Sequence, residues 1–157
     1  MPRNIVTVKV EGLRESGEAI ADLMENLGVS RATAKNTIKR ALLFAVQPVE
    51  ASAEGMVKVR TGHLQASITS GAKLSRRQKT RRQKMAPVEV FVGAGPLPQA
   101  HMQEFGTAHS APHPFLRPAV DRNLDAVRTR FSDQLKIEVQ KTADRARRKI
   151  ERLRQKA

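Results

Sequence analysis

The sequence predicts an α+β fold: a small antiparallel sheet with a long basic-tipped hairpin, packed by helices, plus a long C-terminal helix. Three observations carry this. Two short strand-like runs, near Ser67–Leu74 and in "PVEVFVG" (Pro87–Gly93), flank a polar basic connection. Two segments ahead of them place apolar residues at helical spacing. From Pro118 onward, spacings of three and four persist for about 40 residues, roughly 60 Å of helix at about 1.5 Å per residue.

The elements follow in order. "IVTVKV" alternates, with Val6, Val8 and Val10 on one face, and is expected to open the chain as a half-buried strand. Leu13, Ile20, Leu23, Met24 and Leu27 recur at helical spacing and Gly28 supplies a stop. Ser30 can cap a second helix. Its apolar line is Ala34, Ile38, Ala41, Leu42, Ala45 and Val49, with Pro48 expected to kink or break it and Gly55 to close it. Val88, Val90 and Val92 give the second strand of the hairpin its apolar face. "GPLPQ" breaks the chain, and a short helix from about Gln99 to Phe105 ends at Gly106. Pro118 suits a first helical position. The last helix carries the stripe Val120, Leu124, Val127, Phe131, Leu135, Val139, Ala146, Ile150 and Leu153, and its final turns are expected to run past the core.

The 157 residues suit one domain with one core, expected over residues 1–157 with 141–157 as a basic extension of the last helix. The net charge of +14 is unevenly placed. Residues 55–88 carry nine cations and no anion, and residues 141–157 carry eight cations against two anions, while the rest is close to neutral. Such blocks bind polyanions or acidic protein surfaces. "RRQKTRRQK" concentrates six cations, Arg76, Arg77, Lys79, Arg81, Arg82 and Lys84, between the two strands. These are the candidate DNA- or partner-binding residues, on the tip of the hairpin, where like charges repel and disfavour packing.

Enzymatic chemistry finds little support. Without cysteine there is no disulfide, thiolate metal site or thiol nucleophile. No nucleophile elbow or phosphate-binding glycine loop occurs, and the prolines of "GAGPLP" spoil a helix start there. The acidic residues are scattered rather than paired. His101, Glu104, His109 and His113 cluster in sequence, but two of the histidines sit in a Pro-rich run without metal-site spacing. No catalytic, cofactor-binding or metal-binding residue is assigned, and no cofactor is expected. With no Trp, no Tyr and five Phe, stacking on exposed bases is disfavoured. "MPRNIVTVKV" lacks an apolar signal core, and no apolar run approaches the ~18 residues of a membrane span.

Two stretches exceed what propensity explains: "VRTGHLQASI" (Val59–Ile68) and "EFGTAHSAPHPFLRPA" (Glu104–Ala119). Gly62 and Gly106 permit positive φ or close backbone approach. Arg60 and Arg117 are candidates for guanidinium contacts with Glu104 or chain carbonyls, and Phe115 and Leu116 can plug the loop into the core. The ordered trio "VRTGHLQASI", "EFGT" and "PFLRPA" resembles the tail-component family of long-tailed bacteriophages, whose members include tail completion and head–tail joining proteins. The resemblance runs from about residue 30 to 130. It implies a structural motif built on Arg60, Thr61, Gly62, Leu64, Ser67, Glu104, Phe105, Gly106, Thr107, Pro114, Phe115, Leu116, Arg117 and Pro118. It also implies a virion neck or tail protein without catalysis, assembled in the host cytoplasm as a ring, a hexamer, at the head-proximal end of the tail. Its expected partners are copies of itself, adjacent neck and tail proteins, and double-stranded DNA in the channel, with no membrane. The chain departs from the family pattern ahead of "EFGT", where an aromatic residue is common and "QAHMQ" stands instead, and the basic block and basic C-terminus lie outside the signature. The charge alone also fits a DNA-binding protein without sequence specificity, which leaves the trio unexplained.

Overall fold

The computed structural model describes residues 22, 24–25, 29–58, 61–74, 76–81, 86–95 and 97–156. The expected first strand lies outside them, as does most of the Leu13–Leu27 segment, of which Asp22, Met24 and Glu25 are helical. The described elements are α1 (Arg31–Ala45), α2 (Gln47–Met56), α3 (His63–Ala66), β1 (Ile68–Gly71), α4 (Arg76–Arg81), β2 (Phe91–Ala94), α5 (Pro98–Phe105) and α6 (Leu116–Arg154). The α+β prediction holds, with helix predominating and one two-stranded antiparallel sheet.

Ser30 caps α1 as expected, its hydroxyl accepting from the Thr33 N–H at 3.4 Å. The helix breaks at Val46, and Pro48 falls in the first turn of α2, where its missing N–H costs nothing. Ala34, Ile38, Ala41, Ala45 and Val49 are buried along one continuous line. Gly55 does not close α2, which runs one residue further to Met56; it carries no positive φ, so nothing in its backbone ends the helix.

In the hairpin, Ile68 faces Ala94 and Ser70 faces Val92. Alternation puts these four on one side, and Ile68 and Val92 enter the core. The strands are shorter than predicted: Val90 precedes β2, and Val88 packs on the core from outside it. Within the basic connection Arg76–Arg81 form a short helix, an element the sequence reading of the tip did not include. Arg, Gln and Lys are good helix formers, and the run holds no Gly or Pro to turn it.

α6 is the spine, 39 residues long, or about 58 Å. α1 and α2 pack along it, burying Val120, Val127, Phe131 and Leu135 in the main core. Met24, Val29 and Ala34 form a second cluster against Val139 and Ala146. Beyond Ala146 the apolar stripe continues without cover: Ile150 is 46% exposed and Leu153 60%. α6 begins at Leu116, two residues before Pro118, for a reason that lies in α5. Among the described residues no helix is long and apolar enough to cross a membrane.

Candidate functional site

The stretch from Glu104 to Pro118 joins α5 to α6 and holds most of the sequence-predicted motif. Gly106 ends α5 at φ 75° and ψ −176°, a region only glycine occupies readily. A Cβ there would also lie 2.8 Å from the Ser110 carbonyl oxygen and 2.9 Å from the Pro112 nitrogen. The chain then folds back: Thr107 N–H donates to the Ser110 carbonyl at 2.9 Å and His113 N–H to the Gln103 carbonyl at 2.7 Å. This tight return is what "EFGT" encodes.

The return carries α6 onto the Glu104 side chain, which is buried. Its carboxylate accepts three backbone N–H groups: Phe115 at 2.8 Å and Leu116 at 3.0 Å on Oε2, and Arg117 at 3.3 Å on Oε1. The first turn of a helix leaves N–H groups without intrahelical partners, and its positive dipole end favours an anion. Neither Phe115 nor any acidic residue of the first turn of α6 caps it locally, so the neighbouring helix supplies the cap. Pro118, third in α6, needs no acceptor. Phe115 and Leu116, 0% and 1% exposed, plug the junction into the core.

From the sequence, Arg117 is a candidate for a guanidinium contact with Glu104 or with chain carbonyls. Only its backbone meets Glu104, and its guanidinium lies over the half-exposed Phe105 ring, 5.4 Å from the centroid. Arg60, its predicted companion, lies outside the described residues. An open cleft of about 500 Å³ flanks the junction, lined by Glu104, Phe105, Pro112, Pro114, Arg117 and Asp121 among others. Its one buried carboxylate, Glu104, is engaged by backbone N–H groups, and Arg117, Arg122 and Asp121 supply the other charges of the lining.

The histidines serve separate contacts. The His101 ring stands 5.0 Å from Phe105, His113 Nε2 lies 2.8 Å from Lys58 Nζ, and His109 is exposed. Among the described residues no group of three or more His, Cys, Asp or Glu could hold a metal ion.

The "VRTGHLQASI" residues build the approach to β1. Gly62 precedes α3 at φ 74°, Leu64 is buried, and Thr61 is exposed. Ser67 Oγ donates to the Leu64 carbonyl at 2.7 Å, and the Ser67 carbonyl accepts from Gly95 N–H at 2.9 Å. The two motif stretches are thus separate local devices, one holding the sheet and one launching the spine. Of the basic block, Lys79 is exposed; Arg76, Arg77 and Arg81 are placed on α4, and Arg82 and Lys84 fall outside the described residues.

Sequence reasoning missed two polar anchors. Glu50 on α2 accepts from Ser70 N–H at 3.1 Å and from Ser70 Oγ at 2.8 Å, tying helix to sheet. Between α1 and α6, Thr37 and Thr142 are buried with their hydroxyls 3.1 Å apart. One turn away, Arg40 Nε donates to Glu138 Oε2 at 2.7 Å. That hydrogen bond holds the Glu138 carboxyl below the usual carboxylate range against the opposing effect of burial, with Lys141 assisting. Glu138 and Thr142 fall three and seven residues after Leu135, on the apolar stripe itself; polar residues in such a line were the available signal.

The geometry defines an architecture of packed elements: a helical spine launched from a borrowed cap, with a small hairpin against its supporting helices. The chain belongs to the bacteriophage tail-component family: residues 18–106, more than half its length, match the family model described as "Bacteriophage HK97-gp10, putative tail-component". It is thereby a structural component of the phage tail. The matched stretch takes in "VRTGHLQASI" and reaches Gly106, while "PFLRPA" lies beyond it. No curated protein and no solved structure matches the chain.

Proposed function

We propose that residues 1–157 form one tail-completion domain that assembles as a hexameric ring at the head-proximal end of the phage tail and takes part in head–tail joining. Membership of the tail-component family is the observation that carries this reading. The role is architectural, without catalysis: "EFGT" and "PFLRPA" stabilise the protomer, and the "RRQKTRRQK" residues meet channel DNA or acidic faces of adjacent neck and tail proteins. Two basic regions on an otherwise neutral chain support such contacts. Closed symmetry is the usual route for a repeated structural part.

Electron microscopy of tails from a phage carrying a tagged copy tests the placement. A ring at the head-proximal end is expected; copies scattered along the tube, or a single copy, would refute it. The basic block has its own test. Replacing Arg76, Arg77, Lys79, Arg81, Arg82 and Lys84 with Gln should leave the chain folded and reduce tail joining or DNA retention. If DNA is the partner, the salt dependence of binding should lose about 0.9 in log–log slope per phosphate contact removed. Infectious particles and parental DNA binding from this variant would remove the block from the function.

A further inference from the structure

The end of α6 carries a surface that neither the family match nor the core explains. The match stops at residue 106, and the body stops covering the helix at Ala146. Past that point Ile150 and Leu153 continue the packed stripe and stand 46% and 60% exposed. At about 100° per residue, Arg147 and Arg154 fall along one side of this pair, and Lys149 and Lys156 along the other. Arg152 and the two acids of the region, Asp144 and Glu151, fall toward the opposite face. The tip therefore presents two aliphatic side chains in a row, with cations along both edges.

We propose that this tip docks against an acidic amphipathic helix of a neighbouring neck or tail protein, one with aliphatic residues in its seam and Glu or Asp at its edges; this rests on the proposed place of the protein in the tail. Charge selects that occupant. A second copy of the same helix would set cations against cations along both edges. Duplex DNA would take the cations but offers no apolar counterpart to Ile150 and Leu153, which would be left beside a phosphate surface. An acidic helix satisfies both features, since flanking charges choose the partner while the apolar seam holds it.

The test uses the full chain and a synthetic helix with Leu at the a and d positions and Glu at e and g, compared with a scrambled peptide of the same composition and with a short duplex DNA. Fluorescence anisotropy should show the patterned peptide binding about tenfold tighter than the scramble. Replacing both Ile150→Ser and Leu153→Ser should remove that tenfold preference and leave duplex binding unchanged. Replacing Arg147, Lys149 and Arg154 with Gln should weaken both peptides together. Equal binding of the two peptides, or no effect of the serine pair, would overturn the proposal. So would sedimentation showing a dimer abolished by the serine pair, which makes a second copy the occupant. A photocrosslinker at position 153 that captures residues 1–21 of its own chain would overturn it too. None of these readouts depends on ring formation, so a failed peptide test leaves the tail-end placement standing, and a misplaced ring leaves the peptide result standing.

Discussion

The two ends of α6 are built on opposite principles. At its start, three backbone N–H groups converge on the buried Glu104 carboxylate, and Phe115 and Leu116 are sealed from solvent. At its end the same apolar stripe emerges as Ile150 and Leu153, among cations and without cover. One helix thus serves as foundation at one end and as surface at the other. The difference shows that burial of a stripe depends on the length of the neighbouring elements, not on the stripe: among the described residues, the cluster of Met24, Val29 and Ala34 packs against α6 as far as Ala146.

That contrast breaks most readily at the start. Phe115→Ala removes a fully buried ring and should destabilise by about 3–5 kcal/mol, seen as a large fall in Tm by circular dichroism. An unchanged Tm would mean the junction does not anchor the fold. Glu104→Ala should follow at about 3 kcal/mol, because three N–H groups lose their shared acceptor. Glu104→Gln keeps one acceptor oxygen and should recover part of the loss, which a mere volume effect would not. Gly106→Ala combines positive φ with a Cβ 2.8 Å from a carbonyl oxygen and should cost about 2–3 kcal/mol. Gly62→Ala, with the same sign of φ and open space around it, should cost about 1 kcal/mol. Equal losses at the two glycines would remove the close approach from the account.

The middle of α6 sharpens the comparison through pH. The Glu138 carboxyl is held below its ordinary range by the Arg40 hydrogen bond. Its contribution is therefore fully present above the unfolded value, about 4.3, and is lost as pH falls through the lower folded value. Arg40 is half-exposed, so solvent screening limits the contribution to about 1 kcal/mol. Melting curves of the parent and Glu138→Gln should differ at neutral pH and converge on acidification; a constant gap would assign the effect to packing. The smallest change is expected at the tip, where Ile150→Ser with Leu153→Ser should alter stability by less than about 0.5 kcal/mol.

Much of this was legible in the sequence. The α1 cap, the apolar line from Ala34 to Val49, the end of α5 at Gly106 and the plug of Phe115 and Leu116 all follow from spacing and from residues with few conformational alternatives. What was not legible depended on partners distant in the chain. Nothing local says that Glu104 would cap α6 or that Arg117 would turn to Phe105 instead. The helical α4 was readable from propensity, but the charge density of the six-cation block that contains it drew attention to its position between the strands instead. Of the two motif stretches, the residues held by backbone geometry could be picked from sequence, whereas the work of Glu50, Glu138 and Thr142 required the fold.

The contact between Thr37 and Thr142 spans 105 positions of the chain. Synthesis runs N-terminus first at about 5–20 residues per second, so α1 emerges on the order of 5–20 s before the segment of α6 that covers it. During that interval the apolar face of α1 lacks its final partner. Loop closure over such a distance is slow compared with helix formation, and the nascent chain must hold that face in solution until its last quarter has been made.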